Sequence, residues 1–116
     1  MHLLAELILC NVNPLNSSKG IVLTSGMKIV TIPIYECDDI VNKVKELFHQ
    51  KYEIDISWLI PKLIGLRFKD GSIVATYTGV IPVENLGKKL YVAQITELLT
   101  LERLSKEDKN NVQKAI

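Results

Sequence analysis

The stretch Ile32–Ile56, IPIYECDDIVNKVKELFHQKYEIDI, decides how this chain of 116 residues folds. Pro33 has no N–H to give a β-ladder, so the strand Lys28–Tyr35 is an edge or ends at that point. A helix then opens at Asp38 or Cys37, with Asp38 and Asp39 as cap and as carboxylates suited to a helix N-terminus. Ile40, Val41, Val44, Leu47 and Phe48 recur at helical spacing and make one apolar face. Lys43, Lys45, Glu46, His49 and Gln50 fall towards the other side, and Lys51 closes the helix. Glu53–Ser57 (EIDIS) alternates, as a short exposed strand or an extended link does.

Working outward, Leu3–Val12 is apolar apart from Glu6 and Asn11. It is too continuous for a half-exposed strand and fits one buried on both faces. Asn13–Gly20 carries turn chemistry throughout. Gly20–Ser25 is a short strand that Gly26 ends. Beyond the quoted stretch, Lys62–Lys69 alternates, with Leu63, Leu66 and Phe68 as the inward set. Asp70-Gly71 is the strongest hairpin signal in the chain, and Ser72–Ile81 returns as its partner strand. Val83–Gly87 is a loop and Lys89–Ala93 the last strand. Ile95–Leu104 reads as a helix, and Ser105 with Asp108 resembles a capping arrangement that starts a terminal helix. The chain forms one domain over residues 1–116, an α+β fold with a mixed sheet flanked by helices.

Composition narrows the function. The formal net charge of +1 provides no strong field for nucleic acid or membrane. Cys10 and Cys37 are too few for a disulfide framework, and with only His2 and His49 there is no paired spacing for structural zinc. The run LLAELILC is broken by Glu6, lacks a basic leader and is too short to span a bilayer. A cytoplasmic protein without a membrane partner is expected.

Three segments carry a family resemblance. KIVTIPIYECDDIVNKVKELFHQKYEIDI, KLIGLRFKDGSIVATYTGVIP and KKLYVAQITELLTLERLSKEDKNNVQKAI, in this order, are similar to successive parts of a Nudix domain. The resemblance implies a Nudix-like α/β/α sandwich. The family signature is G-x5-E-x7-R-E-U-x-E-E-x-G-U, with U a bulky apolar residue, and its carboxylates present divalent cations to a pyrophosphate. Matching KELFHQKY to the R-E-U-x-E-E-x-G portion puts Lys45 on the arginine and Glu46 on its glutamate. His49 and Gln50 then stand where two metal-binding glutamates belong, and Tyr52 takes the glycine position. Cys37 falls on the earlier glutamate and Thr31 on the opening glycine. His and Gln are poor replacements for hard oxygen ligands of Mg²⁺.

The resemblance therefore implies a fold kept without its chemistry: no catalytic residue, no cofactor, and only Glu36, Asp38 and Glu46 as lesser metal candidates. A cleft lined by Lys45, Glu46, His49 and Gln50, with Tyr35 and Trp58 at hand, would favour an anion over a metal. Each of these residues also has a plain reading: His49 and the lysines as a solvated helix face, Tyr35 as an ordinary strand residue, Trp58 as core or rim. Three functions are open. One is a non-catalytic binding module for a protein partner or a nucleotide-type ligand. Another is a divergent Mg-dependent pyrophosphohydrolase using Glu36, Asp38, Glu46 or Glu84. The third is an assembly subunit, a homodimer included, that pairs through its first strands or the edge near Pro33.

Overall fold

The computed structural model describes residues 2–12, 19–26, 28–35, 39–81, 89–94 and 106–115. Six strands form one mixed sheet: β1 (His2–Val12), β2 (Lys19–Thr24), β3 (Val30–Ile34), β4 (Lys62–Lys69), β5 (Ser72–Val80) and β6 (Leu90–Gln94). Helix α1 spans Ile40–Tyr52 and helix α2 spans Lys106–Ala115. The strand order is β4-β5-β1-β2-β6, with β3 paired to β1 beside β2. The expected helix Ile95–Leu104, the cap at Ser105, and the loops at Asn13–Ser18 and Val83–Gly87 lie outside the described residues.

β1 is the centre. It runs parallel to β5 along one side, while its other side pairs antiparallel with β3 through Leu3–Leu7 and with β2 through Cys10–Val12. Both of its sides are paired along most of their length, which leaves little free edge on β1 for another strand. Its residues alternate between two cores. Ala5, Leu7 and Leu9 join Val44, Phe48 and Tyr52 of α1, whereas Ile8 and Cys10 join Val112 of α2. This two-sided burial explains the unbroken apolar run. The two polar residues in it are satisfied: the Asn11 side-chain amide donates to the Ile81 carbonyl at 2.9 Å, and Glu6 sits in an ionic cluster beneath α2.

α1 is capped by Asp39, one of the two aspartates suited to that role and one or two residues past the expected opening at Asp38 or Cys37. The Asp39 carboxylate accepts from the Asn42 backbone N–H at 3.2 Å and from its side-chain amide at 2.7 Å. Val44, Phe48 and Tyr52 are buried at four-residue spacing, with Ile40, Val41 and Leu47 packed beside them. Phe48 is fully enclosed, worth roughly 2 kcal/mol by burial. Glu53 ends the helix in the left-handed region (φ 60°, ψ 31°), its N–H bonded to the His49 carbonyl at 2.8 Å. Residues 53–56 form no strand; they are an extended link that buries Ile54 and Ile56.

Pro33 behaves as expected: β3 pairs with β1 and has no other strand partner among the described residues beyond an isolated bridge at Ile29. β4 departs from expectation. Its register slips between Leu63 and Gly65, and Leu63, Leu66 and Phe68 are exposed rather than inward. The half-buried residues are Ile64 and Arg67 instead. The alternation misleads because β4 ends the sheet: the three apolar residues share the α1 face, but α1 lies over β3 and β1 and does not reach them. On the opposite face the Arg67 guanidinium is drawn in by Glu6.

Candidate functional site

The residues expected to form one cleft divide between two faces of α1. Lys45 and Gln50 are five residues apart, about 140° around a helix of 3.6 residues per turn. Lys45, Glu46 and His49 line a small hollow of about 220 Å³ with Asn42, Asp55 and Ser57. Tyr35 and Gln50 line a groove of about 720 Å³ on the other side, with Ile32, Pro33, Lys43, Leu47 and Lys51. Trp58 lines neither: its indole N–H donates to the Asp55 carbonyl at 3.1 Å. Glu36, Asp38 and Glu84 lie outside the described residues.

The small hollow is a knot that ties the link after α1 to the helix. The Lys45 ammonium donates to the Ser57 carbonyl at 3.2 Å. The Asp55 carboxylate accepts the Ser57 N–H at 2.9 Å. That backbone bond, then the Ser57 hydroxyl, holds the Asp55 carboxyl below its ordinary value, with a smaller contribution from His49. Glu46 lies 3.7 Å from the Lys43 ammonium. Lys45, Asp55 and Ser57 thus hold the link against the helix.

The groove differs in kind. β3 supplies Ile32 and Pro33 as an apolar floor, available because Pro33 is on a strand edge. Tyr35, three-quarters exposed, forms a wall just beyond the strand. α1 supplies Lys43, Leu47, Gln50 and Lys51 from one stripe at helical spacing. A concave, mostly apolar lining with a few polar groups is the usual character of a small-molecule site, and the volume is in the usual range. Sequence reasoning put Lys43 and Lys51 with Lys45 on a basic helix face bordering the cleft, but placed Leu47 with the core and so missed it as a partner of Gln50. The shared i, i+4, i+7, i+8 spacing of Lys43, Leu47, Gln50 and Lys51 was the available signal.

The groove lining contains no carboxylate among the described residues. Nor do three or more of His, Cys, Asp or Glu among the described residues form a group that could hold a metal ion. Two ammonium groups, an amide and a phenol do not fit a Mg²⁺ ion, which takes oxygen ligands from carboxylates and water.

The architecture resembles solved structures. A mutT/nudix family protein from Listeria innocua superposes with a TM-score of 0.74 at 16% identity, over 97% of this chain and 90% of that one. The fold is Nudix. The Ap4A hydrolase of C. elegans superposes on the same Nudix fold with a TM-score of 0.70 at 9% identity, covering 97% of this chain and 93% of its own. The NUDIX domain of Shewanella oneidensis NrtR, in complex with ADP ribose, gives 0.65 at 10% identity, covering 97% and 84%. No protein-family model and no curated protein matches the sequence. Among the described residues, no helix is long and apolar enough to cross a membrane.

Proposed function

We propose that the groove between β3 and α1 binds a nucleotide-type ligand through ammonium groups, without metal-assisted hydrolysis. The observation that carries this reading is the groove lining: Lys43 and Lys51 at its two ends, Tyr35 opposite, and no acid among the described residues. The two lysines are eight positions apart along the helix, about 12 Å. A flat apolar group against Tyr35, Pro33 and Leu47 leaves its phosphates to the ammonium groups and the Gln50 amide. The ADP ribose bound by a Nudix domain of the same fold supports this ligand class, by analogy of fold.

A later register of the family signature supports the loss of metal chemistry. A glycine closing a helix serves a left-handed residue, and here that residue is Glu53. Setting the signature glycine at Glu53 puts its two bulky apolar positions on Phe48 and Ile54, both buried. The three helix glutamates then fall on Leu47, Gln50 and Lys51, all in the groove. In this register a methyl-bearing side chain, an amide and a cation replace the carboxylates.

Calorimetry with ADP ribose and nucleoside diphosphates, with and without Mg²⁺, paired with a hydrolysis assay, tests the proposal. Binding that needs no Mg²⁺, produces no turnover and weakens on the order of tenfold in Lys51→Glu is expected, a charge reversal being worth about 1.4 kcal/mol or more at such a contact. Mg²⁺-dependent turnover would instead identify a divergent pyrophosphohydrolase, with acids such as Glu36, Asp38 or Glu84 at work.

A further inference from the structure

β4 ends the sheet, and its outer edge pairs with no strand among the described residues. Leu63, Leu66 and Phe68 are 47%, 65% and 76% exposed. All three lie on one face, opposite Tyr77, Ala75 and Ile73 of β5. On the other face Lys62 and Lys69, opposite Thr78 and Ser72, flank Arg67. Arg67 is occupied by Glu6, Glu107 and Asp108, whereas Lys62 and Lys69 are exposed cations without an acidic partner among the described residues. An open edge beside an exposed apolar row is a template for another strand.

A second copy of the chain does not suit it. Side chains of paired strands must lie on matching faces, which limits the antiparallel pairings of β4 with itself. Centred on Leu66, the pairing sets Leu63 against Phe68 across the bulge and Lys62 against Lys69. Centred on Arg67 it sets Arg67 on itself. Centred on Gly65 or Phe68 it sets Arg67 against Lys62 or Lys69. Each of these four registers, the ones with the longest overlap, opposes cation to cation, which is unfavourable. The lysines thus keep identical edges apart while leaving the edge open to a strand of opposite charge.

We infer that β4 receives an extended segment of a different protein, with the seven-residue pattern acid–apolar–polar–apolar–polar–apolar–acid. The three apolar residues cover Phe68, Leu66 and Leu63. The terminal acids face Lys69 and Lys62, and the central polar residues pass over Arg67 and Gly65. Backbone hydrogen bonds to the edge supply affinity, and the two charge pairs supply selection.

The probe is a labelled peptide, Glu-Val-Thr-Val-Thr-Val-Glu between Gly-Ser ends, titrated by fluorescence anisotropy and by amide shifts of the protein. Binding on the order of tenfold tighter than for the same peptide with lysine at both ends is expected, from two cross-strand charge pairs. N-methylation of the peptide amides that face the edge abolishes binding. Lys62→Glu/Lys69→Glu reverses the preference, and because both residues are exposed the variant keeps the parent circular dichroism. No binding at millimolar peptide overturns the inference. So does equal affinity for both peptides, shifts centred on β6, or a dimer of the parent chain that Leu66→Glu disperses.

Discussion

Arg67 brings one guanidinium to three carboxylates. It donates to Glu6 at 3.0 and 3.2 Å and to the Thr76 hydroxyl at 2.9 Å, faces Glu107, and lies 3.8 Å from Asp108. Burial works to lower its pKa, and the three acids more than reverse this, so it stays charged. Glu6 is almost fully buried and also accepts from Thr76 at 3.1 Å. Removing the cation strands that carboxylate. Arg67→Met should therefore cost about 3–5 kcal/mol in urea unfolding, while Glu6→Leu with Arg67→Met should recover most of the loss, because an apolar pair needs no solvation. A result in which the double variant is no better than the single would place the cost in packing instead. The sequence showed Glu6 only as an interruption in an apolar strand. Its partner is 61 residues away, on a strand whose alternation pointed the arginine outward.

At the level of elements, most of the fold was legible. The helix face Val44–Phe48, the Asp70-Gly71 turn and the edge at Pro33 each follow from a local rule, and each holds in three dimensions. What escaped was where regular patterns slip. Leu63, Leu66 and Phe68 do share one face of β4 across the bulge at Ile64, as their grouping in the sequence required, but nothing in an isolated strand reveals whether a helix will cover that face. At the candidate site the slip is at Glu53. A left-handed residue without glycine carries no sequence flag, and the cleft expected around the Lys45-Glu46 pair grouped residues from two sides of α1. The same residue yields a prediction. A non-glycine in that conformation costs roughly 1–2 kcal/mol, partly offset by the greater chain entropy that glycine loses on folding. Glu53→Gly should stabilise the protein by about 0.5–1 kcal/mol in chemical denaturation, since its contact with Lys89 at 3.9 Å is exposed. Destabilisation would show that the pair with Lys89 matters more than backbone strain.

Across the whole molecule, the two proposed binding surfaces lie at different edges of the sheet. The groove uses the β3 edge and one stripe of α1, while the β4 edge is at the far end of the strand order. A ligand at one does not cover the other, so the two proposals can fail separately. The α/β/α layering itself was readable from the order of elements. The division of β1 between two cores was readable from its unbroken hydrophobicity.

The central place of β1 also governs the order in which the chain can fold. Leu3 aligns with Ile73 and Cys10 with Val80, in parallel. β1 thus leaves the ribosome about 70 residues ahead of the strand that gives it its longest pairing. Until then one side of LLAELILC is bare, an invitation to aggregate during synthesis. Loop closure on that scale slows refolding. Stopped-flow refolding should therefore be in the millisecond-to-second range of non-local topologies, and a circular permutant that starts at Gly71, placing β5 ahead of β1, should change that rate much more than it changes the unfolding rate.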